Sequence, residues 1–180
     1  HAATGEYPVL YPFDPKFESF CERLFEKARI TNDDPWLFGH FSDNELPFRE
    51  KGIVELYLSH PKDDPNHLAA HKFLQDRKVK KAGWKEDRDF LELVVDTYYR
   101  KVTSALKKND PNHLYLGTRL HGRALQSEQI FVAAGKYADV ISVNYYHRWT
   151  PEKERIENWS ALAGKPILIT EWYAMAEDSD

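Results

Sequence analysis

A chain in which short apolar runs alternate with helix-like segments has few folds open to it. Leu114-Tyr115-Leu116-Gly117-Thr118, Val140-Ile141-Ser142-Val143 and Pro166-Ile167-Leu168-Ile169-Thr170 read as strands, their starts about 25 residues apart. Between them lie helical segments, Gln126 to Gly135 with a glycine stop and Pro151 to Leu162. Upstream, Trp36-Leu37-Phe38-Gly39-His40-Phe41 follows the turn residues Asn32 to Pro35 and reads as a strand buried on both faces. Asp14-Pro15 opens a helix whose apolar stripe is Phe17, Phe20, Cys21, Leu24, Phe25 and Ala28. A further helix is expected from Pro65 to about Lys78, and a strongly periodic one runs from Phe90 to Leu106. The order α-β-α-β-α-β-α-β predicts βαβ units and a parallel sheet, either doubly wound or part of an eight-fold barrel. Neither Gly-x-Gly-x-x-Gly nor a phosphate-loop Gly-Lys-Ser/Thr is present, which weakens the nucleotide-binding version.

Composition removes several function classes. Net charge is -4, with both signs spread along 180 residues, where a nucleic-acid binder would be basic and clustered. Apolar residues at 42% and charged residues at 30% describe a globular protein. No apolar run approaches the roughly 18 residues of a membrane span. The sequence opens His1-Ala2-Ala3-Thr4, so a signal peptide would lie outside it. Cys21 is the lone cysteine, which excludes an internal disulfide and a cysteine-based zinc site, and its place in a helical stripe makes it core. His67 and His71 have the spacing of a helical zinc pair, but Leu68-Ala69-Ala70 supplies no glutamate between them, so a solvated helix face is expected. The pentapeptide Asp-Pro-Asn-His-Leu occurs at Asp64 and again at Asp110, once before a helix and once before a strand, so shared turn chemistry is the expectation.

In a parallel α/β sheet or barrel, chemistry gathers at the carboxyl ends of the strands. Those ends read Ser42-Asp43-Asn44-Glu45, Arg119-Leu120-His121, Asn144-Tyr145-Tyr146-His147-Arg148-Trp149 and Thr170-Glu171-Trp172-Tyr173. Two of the four therefore carry a glutamate. Paired carboxylates across a cleft suit glycosidic bond cleavage, one protonated to donate to the leaving oxygen and one ionised to attack or support the anomeric carbon. Aromatic residues make up 14% of the chain, and aromatic rings stack on sugar faces as well as filling cores.

Asn44-Glu45 at one strand end, Asn144-Tyr145 two strands later and Ile169-Thr170-Glu171-Trp172 on the next resemble the clan A glycoside hydrolases. There an Asn-Glu pair ends barrel strand 4, a tyrosine follows strand 6 and the nucleophilic glutamate ends strand 7. The texture of Phe41 to Pro47, Asp110 to Arg119 and Asn144 to Trp149 is most similar to the β-agarases and β-porphyranases of that clan. The resemblance implies an α/β fold, a (β/α)8 TIM barrel of which residues 1–180 supply a partial catalytic domain, from about the end of strand 3 to strand 7. It leaves a long loop or helical insertion at about 46–88, with the remaining strands expected in the same longer polypeptide. It implies a retaining hydrolase of a β-linked marine galactan, agarose or porphyran, that uses no metal or cofactor and acts outside the cell or in the periplasm. Glu45 would be the acid/base, Glu171 the nucleophile and Asn44 a ligand of the C2 hydroxyl, while Tyr145, or failing that Tyr146, would hold Glu171. Trp149 and Trp172 would stack on sugars, and Arg119, His121, His147 and Arg148 would bond hydroxyls or a sulfate. The alternatives are a hydrolase of another β-linked polysaccharide or β-galactoside, and a non-catalytic carbohydrate-binding barrel.

Overall fold

The computed structural model describes residues 11–146 and 149–173. The first helix, α1 (Pro15–Phe25), starts where the Asp14 side chain accepts the Lys16 amide at 2.8 Å and Pro15 takes the first helical position. Of its stripe, Cys21, Phe25 and Ala28 are buried, whereas Phe20 and Leu24 stay exposed. Then comes β1 (Gly39–His40), shorter than the apolar run suggested and not buried on both faces: Trp36 is 93% exposed and Phe38 61%. Among the described residues β1 pairs with β2 (Leu114–Tyr115), and no packed layer covers Trp36 or Phe38.

The stretch between them folds as α2 (Ile53–Leu58), α3 (Pro65–Asp76) and α4 (Trp84–Asn109). Asp87 of α4 accepts the amides of Gly52 and Val54 at 2.8 and 3.1 Å, capping α2 from outside. The repeated pentapeptide proves to be one turn device used twice. Asp64 accepts the Asn66 amide at 2.7 Å, and Asp110 accepts the amides of Asn112 and His113, each at 3.2 Å. His67 is no solvated bystander: its Nδ1 lies 2.9 Å from the Leu58 carbonyl and 3.0 Å from that of His60, tying α3 to the end of α2.

The long helix α4 supplies the core's spine, with Phe90, Leu91, Val94, Val95, Tyr98, Tyr99, Val102 and Leu106 all buried. It packs between α1 and α5 (Glu128–Gly135), and α5 packs on α6 (Lys153–Ala163). Strands β3 (Ile141–Tyr146) and β4 (Ile167–Tyr173) pair in parallel. Between β2 and β3 run hydrogen bonds from Asp139 N to Tyr115 O (2.9 Å), Leu120 N to Ser142 O (2.8 Å) and Asn144 N to Leu120 O (2.8 Å), with a parallel bridge at Leu120 and Val143. The described strands thus form two parallel pairs, β1 with β2 and β3 with β4, joined in chain order by the bridge and bonds around Leu120. Right-handed crossovers between consecutive parallel neighbours put their helices on one side, which is why α4, α5 and α6 form a row.

Candidate active site

The carboxyl ends of all four strands converge. After β1, the turn bearing Glu45 is fastened by the Glu45 amide to the Thr118 carbonyl (3.1 Å) and by Ser42 N to Gly117 O (3.1 Å). Beneath it, Ser42 Oγ meets the hydroxyls of Tyr98 (3.0 Å) and Tyr115 (2.7 Å), and Tyr98 donates to Asp43. Burial pushes the Asp43 carboxyl above its ordinary range, the Tyr98 hydroxyl opposing. Glu45 and Arg119 both adopt left-handed backbone, at φ 52° and 53°. A residue other than glycine there costs about 1–2 kcal/mol, and such positions gather at functional sites.

On β3 the two-residue period sorts the side chains. Asn144 and Tyr146 share the face of the glutamates. Asn144 Nδ2 donates to Glu45 Oε1 at 2.7 Å, and its Oδ1 accepts from Thr170 Oγ1 at 2.8 Å. The Tyr146 hydroxyl is 3.1 Å from Glu45 Oε1 and also bonds Glu171 Oε2. The nearest oxygens of the two carboxylates therefore stand within two hydrogen-bond lengths, roughly 6 Å. Arg119 Nη2 takes the other oxygen of Glu171, and its guanidinium lies 5.6 Å from the Phe41 ring centroid. His121 Nδ1 is 3.7 Å from Glu45 Oε2, and its ring meets Tyr146 edge-on at 5.2 Å. A register shift beside Asn144 makes Thr170 the extra residue of β4, so that Glu171 faces Asn144.

Tyr145 corrects the expectation placed on it. It is buried on the opposite face, its hydroxyl 2.6 Å from Glu152 and its ring edge-on to Trp159, so the tyrosine on Glu171 is Tyr146. Trp172 pairs in register with Tyr145 and leaves the glutamate face for the same reason of parity, while Tyr173 lies 4.8 Å from Tyr146. Trp149 is 74% exposed, and among the described residues no contact joins it to either glutamate. Asn44 is exposed beside Glu45. His147 and Arg148 lie outside the described residues. Asn144, Thr170 and Tyr173 were missed as site residues, although counting by twos from Tyr146 reaches Asn144.

The charges follow from these contacts. The Asn144 amide holds the Glu45 carboxyl below its ordinary value, against the effect of burial and with help from Tyr146, His121 and Arg119. Burial and then the two carboxylates raise the Tyr146 hydroxyl. Away from this cleft, ahead of β2, His40, Asp110 and His113 form the group among the described residues whose ligand atoms lie close enough (within 4.8 Å) to hold a metal ion. They also satisfy one another. Asp110 is 2.7 Å from His40 Nε2 and 2.8 Å from His113 Nδ1, and His113 Nε2 is 2.8 Å from the Asp34 carbonyl.

No family model matches the chain. By sequence it is 29% identical to β-agarase B of Vibrio sp. (strain JT0107), an alignment that covers 96% of this chain and 22% of that protein. By structure it matches BpGH50 with a TM-score of 0.80 and 34% identity, over 93% of this chain and 39% of that one. A second solved structure, the agarase AgWH50C, gives 0.71 and 25% over 98% and 30%. The chain is similar to agarases. It spans about a fifth of the length of the curated relative and under two-fifths of these solved chains.

Proposed function

We infer that these residues are the catalytic part of a retaining, β-agarase-like glycoside hydrolase of clan A type, acting on a β-linked galactan such as agarose or porphyran. The carrying observation is that Glu45 and Glu171, from the ends of two non-adjacent strands, meet at a single tyrosine hydroxyl. Carboxylates that share one hydroxyl suit the close spacing of a retaining pair better than a gap that must hold an inverting water. Likeness to agarases supports the substrate class. Two parallel strand pairs linked in chain order, with helices in one row, support an arc of a (β/α)8 barrel whose other strands belong to a longer polypeptide. Agar-type polymers are too large to enter a cell intact, so the reaction belongs outside the cytoplasm.

In this mechanism Glu171, fixed by Arg119 and Tyr146, attacks the anomeric carbon while Glu45 gives its proton to the departing glycosidic oxygen. Glu45 then takes a proton from water, whose oxygen replaces Glu171 at that carbon. Glu45 must start protonated, yet its contacts with Asn144, Tyr146 and His121 favour its charged form. Its side chain keeps 29% of its surface exposed. A sugar seated there strips water from the carboxylate and raises its proton affinity. In the intact protein, Glu45→Gln and Glu171→Gln should each abolish agarose hydrolysis while oligosaccharide binding persists. Fresh product should carry the configuration of the cleaved bond by proton NMR. Hydrolysis surviving in Glu171→Gln, or an inverted product, overturns the reading.

A further inference from the structure

The geometry points to Asn144 as a positioning residue that holds Oε1 of Glu45, with Thr170 locking its amide, so that the transferable proton resides on Oε2. This deepens the proposed hydrolase and rests on that reading for its kinetic part. Asn144 is fully buried, so its side chain has no water to fall back on. A carboxylate only accepts, so the group 2.7 Å from Glu45 Oε1 must be the amide nitrogen. The amide oxygen then faces Thr170 Oγ1 at 2.8 Å, and the hydroxyl must donate to it. That hydroxyl also lies 3.2 Å from the Val143 carbonyl, and the nearer and better placed acceptor for its one proton is Asn144 Oδ1. The amide is therefore orientated from β4, by the residue next to Glu171.

Two donors converge on one oxygen as a result. Oε1 of Glu45 faces Asn144 Nδ2 and the Tyr146 hydroxyl, which leaves Oε2 beside His121 as the oxygen that can carry a proton. The groups around Glu45 are Asn144 and Tyr146 from β3, Arg119 and His121 from the segment after β2, and Glu171 from β4 through Tyr146. Tyr146 has one proton and two carboxylates to serve, so it cannot hold Oε1 alone. Asn144 is the partner committed to Glu45 throughout the cycle.

The test uses the intact protein and reads the Glu45 carboxyl directly, by carbon-detected NMR titration, alongside the pH profile of agarose hydrolysis. Asn144→Ala should move the Glu45 titration upward and lower kcat about ten- to a hundredfold, with a smaller change in KM. Thr170→Val, which keeps shape and removes the hydroxyl, should move the titration the same way by less. Thr170→Ser should restore wild-type behaviour. A Glu45 titration unmoved in both Asn144→Ala and Thr170→Val overturns the inference, as does a Thr170→Ser variant that behaves like Thr170→Val. If the wild-type protein hydrolyses no galactan, the proposed function fails while the titration still decides the role of Asn144.

Discussion

Side-chain parity along β3 governs what each tyrosine can do. Tyr146 contacts both glutamates, and Tyr145, one residue earlier, serves the helix layer through Glu152 and Trp159. Tyr146→Phe should cut kcat by about tenfold or more, since it removes a hydrogen bond to a charged group where charge changes during the reaction. Tyr145→Phe should leave kcat near wild type and lower the melting temperature, because its hydroxyl is bonded to Glu152 on the far face. Steady-state kinetics with thermal melts on the pair decides it, and equal kinetic losses would refute the parity assignment. The glutamates themselves are visible in the sequence as strand-end residues. Arg119 and His121 could be named there too, but not the left-handed backbone that turns Arg119 toward Glu171. Tyr145 drew the role because the resemblance fixed a strand and not a face, and facing is settled only by where strand pairing begins.

Element boundaries follow local chemistry where caps exist. Asp14-Pro15 and Asp64-Pro65 start helices as their residue types dictate, and Gly164 ends α6 in left-handed backbone at φ 63°. Strand β1 was less legible. Its run is apolar at Trp36, Leu37, Phe38 and Phe41, yet apolar character alone cannot tell a strand covered on its faces from one left uncovered. Close approach is also invisible to pattern: a methyl group on Gly135 would collide with the Ala163 carbonyl, so α5 and α6 touch through a missing side chain. One helix end is suboptimal. Lys78 closes α3 at φ 56°, with Val79 N bonded to Leu74 O at 3.0 Å, a geometry that favours glycine. Lys78→Gly should stabilise the intact protein by about 1 kcal/mol without altering hydrolysis, measured by denaturant unfolding. A loss of stability would show that the lysine side chain matters more than the backbone.

For the molecule as a whole, one tie between distant segments lies away from the cleft. Asp110 and His113 ahead of β2 hold His40 of β1 and the Asp34 turn. With Nδ1 facing a carboxylate and Nε2 a carbonyl, His113 has two acceptors, and its protonated form satisfies both. Bonds from His40 and His113 hold the Asp110 carboxyl below its ordinary range against burial, and the Asp110 bond raises His113. The lowered carboxyl contributes stability above the ordinary aspartate range and loses it as pH falls through its native value. The raised imidazole contributes below the ordinary histidine range and loses it as pH rises through its own. Both hold between roughly pH 4 and 6.5. The melting temperature of His113→Gln should fall furthest below wild type in that window, and a gap independent of pH would count against the ion pair. The cleft is assembled differently: its bonds join residues 99, 101 and 52 positions apart. Closures over such spans come late, after local helices have formed. Refolding followed by circular dichroism and by a probe of the cleft is therefore expected to return the helical signal first, with Glu45 and Glu171 brought together only afterwards.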